Sequence, residues 1–167
     1  MARIQVPIRP LTKAAFKPFG DVVQVAESRH YTINQGWAER YADLAKLDLL
    51  DKGGAPNLGI VRAEPRPMPL KVQLMERHPL SSQMFIPLAP RPFLVVVAPP
   101  GKKPQTKDII GFRTIAGQGV NYARGVWHHP LIALDQSTDF LVVDRHGKDE
   151  NCDEFSLADL DLWIGEN

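Results

Sequence analysis

Short strand-like runs recur along this chain at intervals of roughly ten residues, with proline and glycine between them. The 15 prolines fit frequent turns and strand ends, because proline cannot donate a hydrogen bond to a central ladder. The run from Phe93 to Ala98 is apolar at every position, which predicts a central strand covered on both faces. The pattern therefore predicts a mainly β protein, an antiparallel sandwich or barrel with a few short helices.

Two short helices are predicted within this framework. Thr12 is a suitable N-cap for a helical turn that ends at Phe16. Ser156 and Asp159 form a capping-box pattern that favours a short C-terminal helix. Residues 37–51 mix apolar and charged positions without a clear period, so a short helix and an edge strand both remain open there.

Length, charge and cysteine content limit the class of protein. The 167 residues suit a single domain, residues 1–167. The net charge of +1, without a basic block, argues against nucleic acid or an anionic membrane as a main partner. The sequence shows no signal peptide and no apolar run long enough to span a bilayer. With Cys152 as the one cysteine, set among acidic residues that disfavour a thiolate, a reducing cytoplasm is the expected location.

The segment from Gly117 to Pro130 concentrates side chains that can do chemistry. A segment built only to fill a core would hold aliphatic residues instead. The apolar runs after it supply a buried framework on which a small-molecule site could be mounted. Its chemically active residues are Asn121, Tyr122, Arg124, Trp127, His128 and His129.

A second group lies in residues 71–78, where apolar and polar positions alternate. Strand periodicity places Val72, Leu74, Glu76 and His78 on one face, directed towards an interior. Because a buried charge requires a partner, Glu76 and His78 are expected to interact with other polar groups there.

The spacing of these two groups resembles the two motifs of the cupin superfamily. The first motif corresponds to Glu76, His78 and Gln83, and the second runs from Gly117 to His128. In metal cupins these positions hold the ion, so the resemblance implies Glu76, His78, Gln83 and His128 as ligands. Glu76 and Gln83 stand where the motif has His and Glu. Two His and one carboxylate can bind a divalent ion, and a metal-free cupin that uses the same groups for hydrogen bonds and proton transfer is the alternative.

A closer resemblance covers nearly the whole chain. It is carried by residues 33–36, 39–41, 74–80 (LMERHPL), 83–87, 119–131 (GVNYARGVWHHPL), 139–145 and 149–153 (DENCD). Through these segments the sequence is similar to the ureidoglycolate lyase family, long called ureidoglycolate hydrolase. That resemblance implies a cupin-like fold, a homodimer and an association with nickel. It also implies cleavage of (S)-ureidoglycolate to glyoxylate and urea in allantoin (purine) degradation for nitrogen use.

The implied reaction assigns roles to the candidate residues. The substrate carboxylate must be held, its hydroxyl proton removed and the departing nitrogen protonated. His128 and Glu76 are expected to carry the proton transfers, or to ligate a metal together with His78. An arginine fork suits the carboxylate. The candidates for substrate binding are Arg124 or Arg40, with Arg145 as a third arginine, Asn121 or Gln83 for the ureido amide, and Trp127 and Tyr122 as pocket walls.

Three other functions compete with the lyase. A non-catalytic cupin module that binds a small acid or sugar would keep the pocket but lack a proton-transfer pair, and Glu76 beside His78 argues against it. An amidohydrolase acting on the same substrate would release ammonia instead of urea. A metal-dependent oxygenase would require a stronger ligand set than one that includes Gln83.

Overall fold

The computed structural model describes residues 3–165 and consists mainly of strands. One short helix, α1 (Lys13–Phe16), precedes most of them, and 3-10 turns cover Asn34–Gly36, Asp51–Gly53 and Thr106–Asp108. The strands are β1 (Ile4–Gln5), β2 (Ile8–Pro10), β3 (Gly20–Val23), β4 (His30–Ile33), β5 (Ala38–Tyr41), β6 (Ala55–Ala63), β7 (Leu70–Lys71), β8 (Leu74–Arg77), β9 (Gln83–Pro87), β10 (Phe93–Ala98), β11 (Ile110–Arg113), β12 (Gly119–Tyr122), β13 (Trp127–His128), β14 (Ile132–Ala133), β15 (Thr138–His146), β16 (Asp153–Ser156) and β17 (Leu162–Ile164).

Two large sheets form a sandwich. The first has the order β16-β8-β13-β10-β11-β2, with β14 also paired to β10, and the second has the order β3-β12-β9-β15-β6. A smaller sheet, β1-β17-β7, and the separate pair β4-β5 complete the described part of the chain. The predicted mainly β, cupin-like sandwich with few helices is therefore confirmed, and within residues 3–165 the sheets do not close into a barrel.

The strand β10 divides the core in two. Phe93, Val95 and Val97 face an inner core that also contains Phe85 and Phe140 of the second large sheet. The alternate residues Leu94, Val96 and Ala98 face an outer core, which includes Leu162 and Ile164 of the three-stranded sheet. All six residues of β10 are buried, as predicted from their uniform apolarity.

Phe140 connects the two large sheets across the inner core. Its ring is fully buried and packs edge-on against Phe93 with 5.0 Å between the ring centroids. Phe140→Ala is expected to lower the free energy of unfolding by about 3–5 kcal/mol, because it leaves a cavity between packed sheets. Urea unfolding measures the loss, and the exposed Ile115→Ala serves as control with an expected change below about 0.5 kcal/mol. Equal effects of the two changes would contradict this packing.

Two sequence-based expectations are corrected by the sheet pairing. The run 71–78 is not one strand, because β7 belongs to the three-stranded sheet and β8 to the seven-stranded sheet. Val72 consequently packs in the outer core with Met75, away from the face that carries Glu76. The predicted C-terminal helix is also wrong: Ser156 ends β16, and Leu157 donates its backbone N–H to the carbonyl of Gln73 at 2.8 Å. Tertiary pairing prevails over a weak local cap.

The first predicted helix is confirmed. Thr12 caps it by accepting a hydrogen bond from the backbone N–H of Ala15 at 3.1 Å. The undecided segment 37–51 contains β5 and otherwise runs as an irregular connection. Among residues 3–165, no helix has the length and apolar character needed to cross a membrane.

Candidate active site

Neighbouring strands of the sandwich bring five side chains together beside the inner core. Glu76 lies opposite His128 in the β8–β13 ladder, and His128 lies opposite Val97 of β10, so both side chains face the inner core. Gln83 of β9 lies opposite Tyr122 of β12 on the facing sheet. We call the resulting group the polar cluster; its members are Glu76, His78, Gln83, Tyr122 and His128.

A glycine turn fixes the two halves of the polar cluster to each other. Gly125, between β12 and β13, has a φ of +76°, a backbone conformation that glycine adopts at little cost. Its N–H donates to the carbonyl of His78 at 3.0 Å. The turn therefore holds the residue after β8 next to the strand that carries His128.

Backbone carbonyls fix the tautomers of both histidines. Nδ1 of His78 lies 2.6 Å from the carbonyl oxygen of Asn151, and Nδ1 of His128 lies 3.1 Å from that of Val126. A carbonyl oxygen can only accept, so each Nδ1 carries the proton. Each neutral ring then presents the lone pair of Nε2 to the polar cluster.

These lone pairs face other acceptors. Nε2 of His78 lies 3.0 Å from Oε1 of Gln83, and Nε2 of His128 lies 3.4 Å from Oε1 of Glu76. Nε2 of His128 is buried without a hydrogen-bond partner. Rotation of the Gln83 amide would give His78 a donor but would leave His128 unchanged. Buried acceptors that converge without a donor are stabilised by a cation or a proton between them.

The spacing of these atoms fits one metal ion. A ligand atom from each of Glu76, His78 and His128 lies within 4.8 Å of the other two. Imidazole nitrogen with a carboxylate oxygen is a common donor set for divalent transition metals. The residues present therefore fit a divalent cation, and Gln83 adds a neutral oxygen at the edge of the set.

The pKa values of Glu76 and His128 are both lowered, but for different reasons. The His128 imidazole lowers the pKa of the Glu76 carboxyl, and partial burial acts in the opposite direction. Burial lowers the pKa of His128, although the Glu76 carboxylate opposes this shift. A neutral imidazole and an ionised carboxylate are the forms that can bind a metal or accept a proton.

Tyr122 holds the His128 ring from the side. The two rings are stacked, with centroids 4.2 Å apart and an angle of 10° between their planes. Burial raises the pKa of Tyr122, so its phenol stays protonated at neutral pH. Tyr122 thus forms one side of the polar cluster, and its predicted contact with the substrate stays a prediction.

Two of the predicted substrate-binding arginines are occupied elsewhere. Arg124 binds both carboxylate oxygens of Asp48, at 2.7 and 2.9 Å, and one of Asp51 at 2.8 Å. Arg145 donates to the backbone carbonyls of Asp51 and Lys52. Both guanidinium groups therefore anchor the segment around residues 48–52, and the structure does not place them in the polar cluster.

Asn121 and Trp127 lie on the wrong side of their strands for the predicted roles. Each precedes a member of the cluster, Tyr122 or His128, and neighbouring residues in a strand point to opposite faces. The Asn121 amide donates to Asp21 and to the carbonyl of Lys46, both at 3.0 Å. The Trp127 indole is buried in the outer core and is not a wall of the cluster.

The remaining predictions concern Arg40 and His129. Arg40 lies on β5 in the separate β4-β5 pair and is exposed, so the protomer itself does not bring it to the cluster. The side chain of His129 is buried, and its Nδ1 donates to the carbonyl of Pro130 at 2.8 Å, so it is engaged outside the polar cluster.

The structure adds residues that the sequence alone did not indicate. Besides its carbonyl contact to His78, Asn151 accepts the backbone N–H of Leu80 at 2.7 Å through its side chain and donates to Oγ of Ser81 at 2.7 Å. Cys152 follows it, with Sγ 4.0 Å from Oε2 of Glu76. Burial, and then the Glu76 carboxylate, raise the pKa of the thiol, in line with the expected poor thiolate. The sequence indicated a polar loop around residue 151, but it did not indicate that this loop contacts His78.

Comparisons with known proteins relate this chain to one family. The family model for ureidoglycolate lyase matches residues 3–164. A ureidoglycolate lyase of Burkholderia mallei (strain NCTC 10229) is 50% identical over 160 residues, which cover 96% of this chain and 93% of the relative. A ureidoglycolate lyase of Pseudomonas syringae pv. syringae (strain B728a) is 47% identical over 157 residues, with coverage of 94% and 92%.

Among solved structures, a dTDP sugar isomerase from Desulfovibrio desulfuricans G20 aligns with a TM-score of 0.42 at 16% identity, covering 81% of this chain and 84% of that one. The family assignment rests on the sequence matches alone. With a matching family model over residues 3–164 and relatives about half identical along nearly their full length, this chain belongs to the ureidoglycolate lyase family.

Proposed function

We propose that this protein is a lyase that cleaves (S)-ureidoglycolate to glyoxylate and urea, a step of allantoin degradation that releases purine nitrogen. Membership of the family supports the reaction, and the relatives named above carry that activity in their names. The single observation that carries the proposal is the polar cluster, in which the buried lone pair of His128 faces the ionised Glu76.

The reaction is an elimination at one carbon atom. That carbon carries a carboxylate, a hydroxyl group and the ureido nitrogen. The hydroxyl proton leaves, its oxygen forms the carbonyl of glyoxylate, and the carbon–nitrogen bond breaks. The departing nitrogen takes up a proton and becomes part of urea, so no water is consumed. The protein must therefore accept one proton and return one proton.

Glu76 is suited to move this proton. Its pKa is lowered, so it is ionised at neutral pH and able to accept the hydroxyl proton. Its Oε1 faces His128, whereas Oε2 lies on the side of Cys152, which leaves one oxygen clear of the histidine. Once protonated, the same carboxyl can return the proton to the ureido nitrogen. His128 and Gln83 orient the substrate beside it through Nε2 and the amide.

A divalent cation, nickel in this proposal, would be held by Glu76, His78 and His128, with Gln83 as a weak fourth ligand. When bound, such an ion lowers the pKa of a hydroxyl group that it contacts. The fixed tautomers and the unpartnered Nε2 of His128 support this fit. In a metal-free enzyme, the same Nε2 would serve as a second proton acceptor.

Asn151 is expected to matter through His78. Asn151→Ala removes both side-chain anchors that hold its carbonyl against Nδ1 of His78. Because such supporting contacts orient a ligand, we expect Ni²⁺ affinity to fall about 10- to 100-fold. Calorimetric titration with Ni²⁺ measures this, and the exposed Asn57→Ala is the matched control. Unchanged affinity in Asn151→Ala would remove the positioning role.

The cellular setting completes the proposal. We infer a homodimer that works in the cytoplasm on a small molecule, without a nucleic-acid or membrane partner. The near-neutral net charge of +1 supports the absence of a polyanionic partner. Sedimentation of the purified protein tests the dimer.

The products of the reaction decide between the competing functions. Racemic ureidoglycolate is incubated with the protein, and glyoxylate, urea and ammonia are assayed separately against the spontaneous background. Glyoxylate and urea in equal amounts, from one enantiomer, are the expected result. Ammonia in place of urea would show amide hydrolysis. Binding without any product would support the non-catalytic module and overturn the proposed lyase.

A further inference from the structure

The segment from residue 30 to residue 41 stands apart from the sandwich, and we call it the arm. It consists of β4, a 3-10 turn and β5, and none of its residues is buried in the protomer. Trp37 at its tip is 90% exposed. A two-stranded ribbon without a buried side chain is marginally stable in water. The arm therefore has the character of an element that needs a surface outside its own protomer.

The tip of the arm is strained as well as exposed. Asn34 and Gln35 follow each other with φ angles of +54° and +59°, in the left-handed region that non-glycine residues seldom occupy. Such a conformation persists where surrounding contacts over-determine it. The protomer supplies few contacts at Trp37, so the supporting contacts are expected to come from another surface.

The polar cluster lacks a group that the substrate requires. Among residues 3–165, no Lys or Arg side chain forms a hydrogen bond or an ion pair with a member of the polar cluster. Arg124 is already bound to two aspartates, and Arg145 to backbone carbonyls. Apart from the proposed metal ion, a carboxylate substrate bound here would meet no Lys or Arg that the same protomer already holds in the cluster.

The arm carries a free cation of the required kind. Arg40 is exposed and forms no hydrogen bond or ion pair with any residue between 3 and 165. It lies opposite Tyr31 in the arm ladder, so the two side chains share a face. A guanidinium fork binds a carboxylate through two parallel hydrogen bonds. The Arg40 guanidinium of the arm is therefore the kind of cationic group that the polar cluster lacks.

The rim of the polar cluster attracts such an arm. The segment 149–154 reaches the cluster through the Asn151 carbonyl and Cys152, and it bears the exposed carboxylates of Asp149, Glu150 and Glu154. Arg40 of a second copy has the opposite charge, and Glu39 beside it is engaged within its own arm by Tyr41 and His30. Such charge complementarity favours pairing between two copies. In a two-fold dimer each copy gives its arm and receives the other, so both unsatisfied surfaces are covered at once.

We propose that the arm of each protomer packs against segment 149–154 of a second copy, where Arg40 reaches the polar cluster and binds the carboxylate of the substrate. Each active site is then built from two chains, and a monomer is incomplete. This inference rests on the proposed lyase function for the identity of the carboxylate substrate.

The first experiment concerns Arg40 alone. Arg40→Ala is expected to lower kcat/KM about 10- to 100-fold, mainly through KM, because a charge-assisted contact to the carboxylate is lost. The exposed Arg113→Ala is the matched control and should retain full activity. Wild-type activity in Arg40→Ala would overturn the role of Arg40.

The second experiment distinguishes a site shared between two chains from a site within one chain. Arg40→Ala and His128→Ala chains are co-expressed with different tags, and the mixed dimer is purified by both tags. In the shared arrangement, one of its two sites combines an intact cluster with an intact arm. The mixed dimer should then show about half of the wild-type activity per dimer, far above both parents. Glu76→Gln replaces His128→Ala in the pair if the latter folds poorly.

Each outcome decides the question. A mixed dimer as inactive as its parents would show that arm and cluster act within one chain, and a wild-type monomer in sedimentation would exclude sharing. Loss of the proposed function is recognised separately, because the wild-type protein would then release no glyoxylate, although sedimentation would still test the pairing.

Discussion

Replacing His128 by alanine is expected to reduce kcat for ureidoglycolate cleavage by about 10²- to 10⁴-fold, the usual contribution of a positioned proton-transfer or ligand group. Its Nε2 is the one buried nitrogen of the cluster that has no hydrogen-bond partner, and it lies 3.4 Å from the Glu76 carboxylate. Removal of the ring takes this lone pair from the cluster and leaves Tyr122 without its stacked neighbour. Steady-state assay of glyoxylate release measures the loss.

The exposed His146 is the matched control for His128. His146 is the last residue of β15, and His146→Ala should change kcat by less than about twofold. Because His128 is buried, circular dichroism and thermal unfolding must accompany the assay, and His128→Gln preserves more of the side-chain volume. Near-normal turnover by a folded His128 variant would remove this residue from the site.

Glu76→Gln is expected to have the second large effect, a loss of about 10²- to 10⁴-fold in kcat, because the amide can neither accept the hydroxyl proton nor balance a cation. The chain offers a close control in Glu154, which lies directly opposite Glu76 in the β8–β16 ladder and is exposed. Glu154→Gln should retain activity within about threefold.

Comparison of these two carboxylates separates the site from its surroundings. Glu76, Cys152 and Glu154 also bring ligand atoms within 4.8 Å of one another, so a mixed carboxylate–thiol group lies next to the polar cluster. Equal losses of kcat in Glu76→Gln and Glu154→Gln would indicate that the reaction takes place at the group formed by Glu76, Cys152 and Glu154. A loss confined to Glu76→Gln agrees with chemistry on the histidine side.

The sequence predicted the polar cluster better than its surroundings. Alternation along residues 71–78 and the cupin-like spacing together indicated Glu76, His78, Gln83 and His128, and the fold places them side by side. These signals are local because each depends on two-residue strand periodicity and a glycine turn. Their catalytic and metal-binding roles remain predictions.

Strand parity would have excluded two of the other candidates. Trp127 precedes His128 and Asn121 precedes Tyr122, so within one strand neither could share a face with its neighbour. Asn121 and Trp127 were predicted from the chemistry of their side chains, without this geometric rule.

The sequence did not reveal the contacts between residues that lie far apart in the chain. Arg124 pairs with Asp48 and Asp51, more than seventy positions away, in a segment whose structure the periodicity left undecided. Asn151 meets His78 through its backbone carbonyl, an atom that every residue possesses and that no side-chain pattern marks. Such contacts follow from sheet order, which single-sequence patterns do not determine.

The central claim is that the converging acceptors of Glu76, His78, Gln83 and His128 form the lyase site. The most direct measurement follows glyoxylate release while metal-stripped protein is titrated with Ni²⁺ and the bound metal is counted. The account predicts activity that rises in proportion to bound nickel and stops rising at about one ion per chain, with weaker uptake and at least about 10²-fold lower turnover in His128→Ala. Full turnover by the metal-free wild-type protein would contradict the metal role, and wild-type turnover by His128→Ala would contradict the central claim.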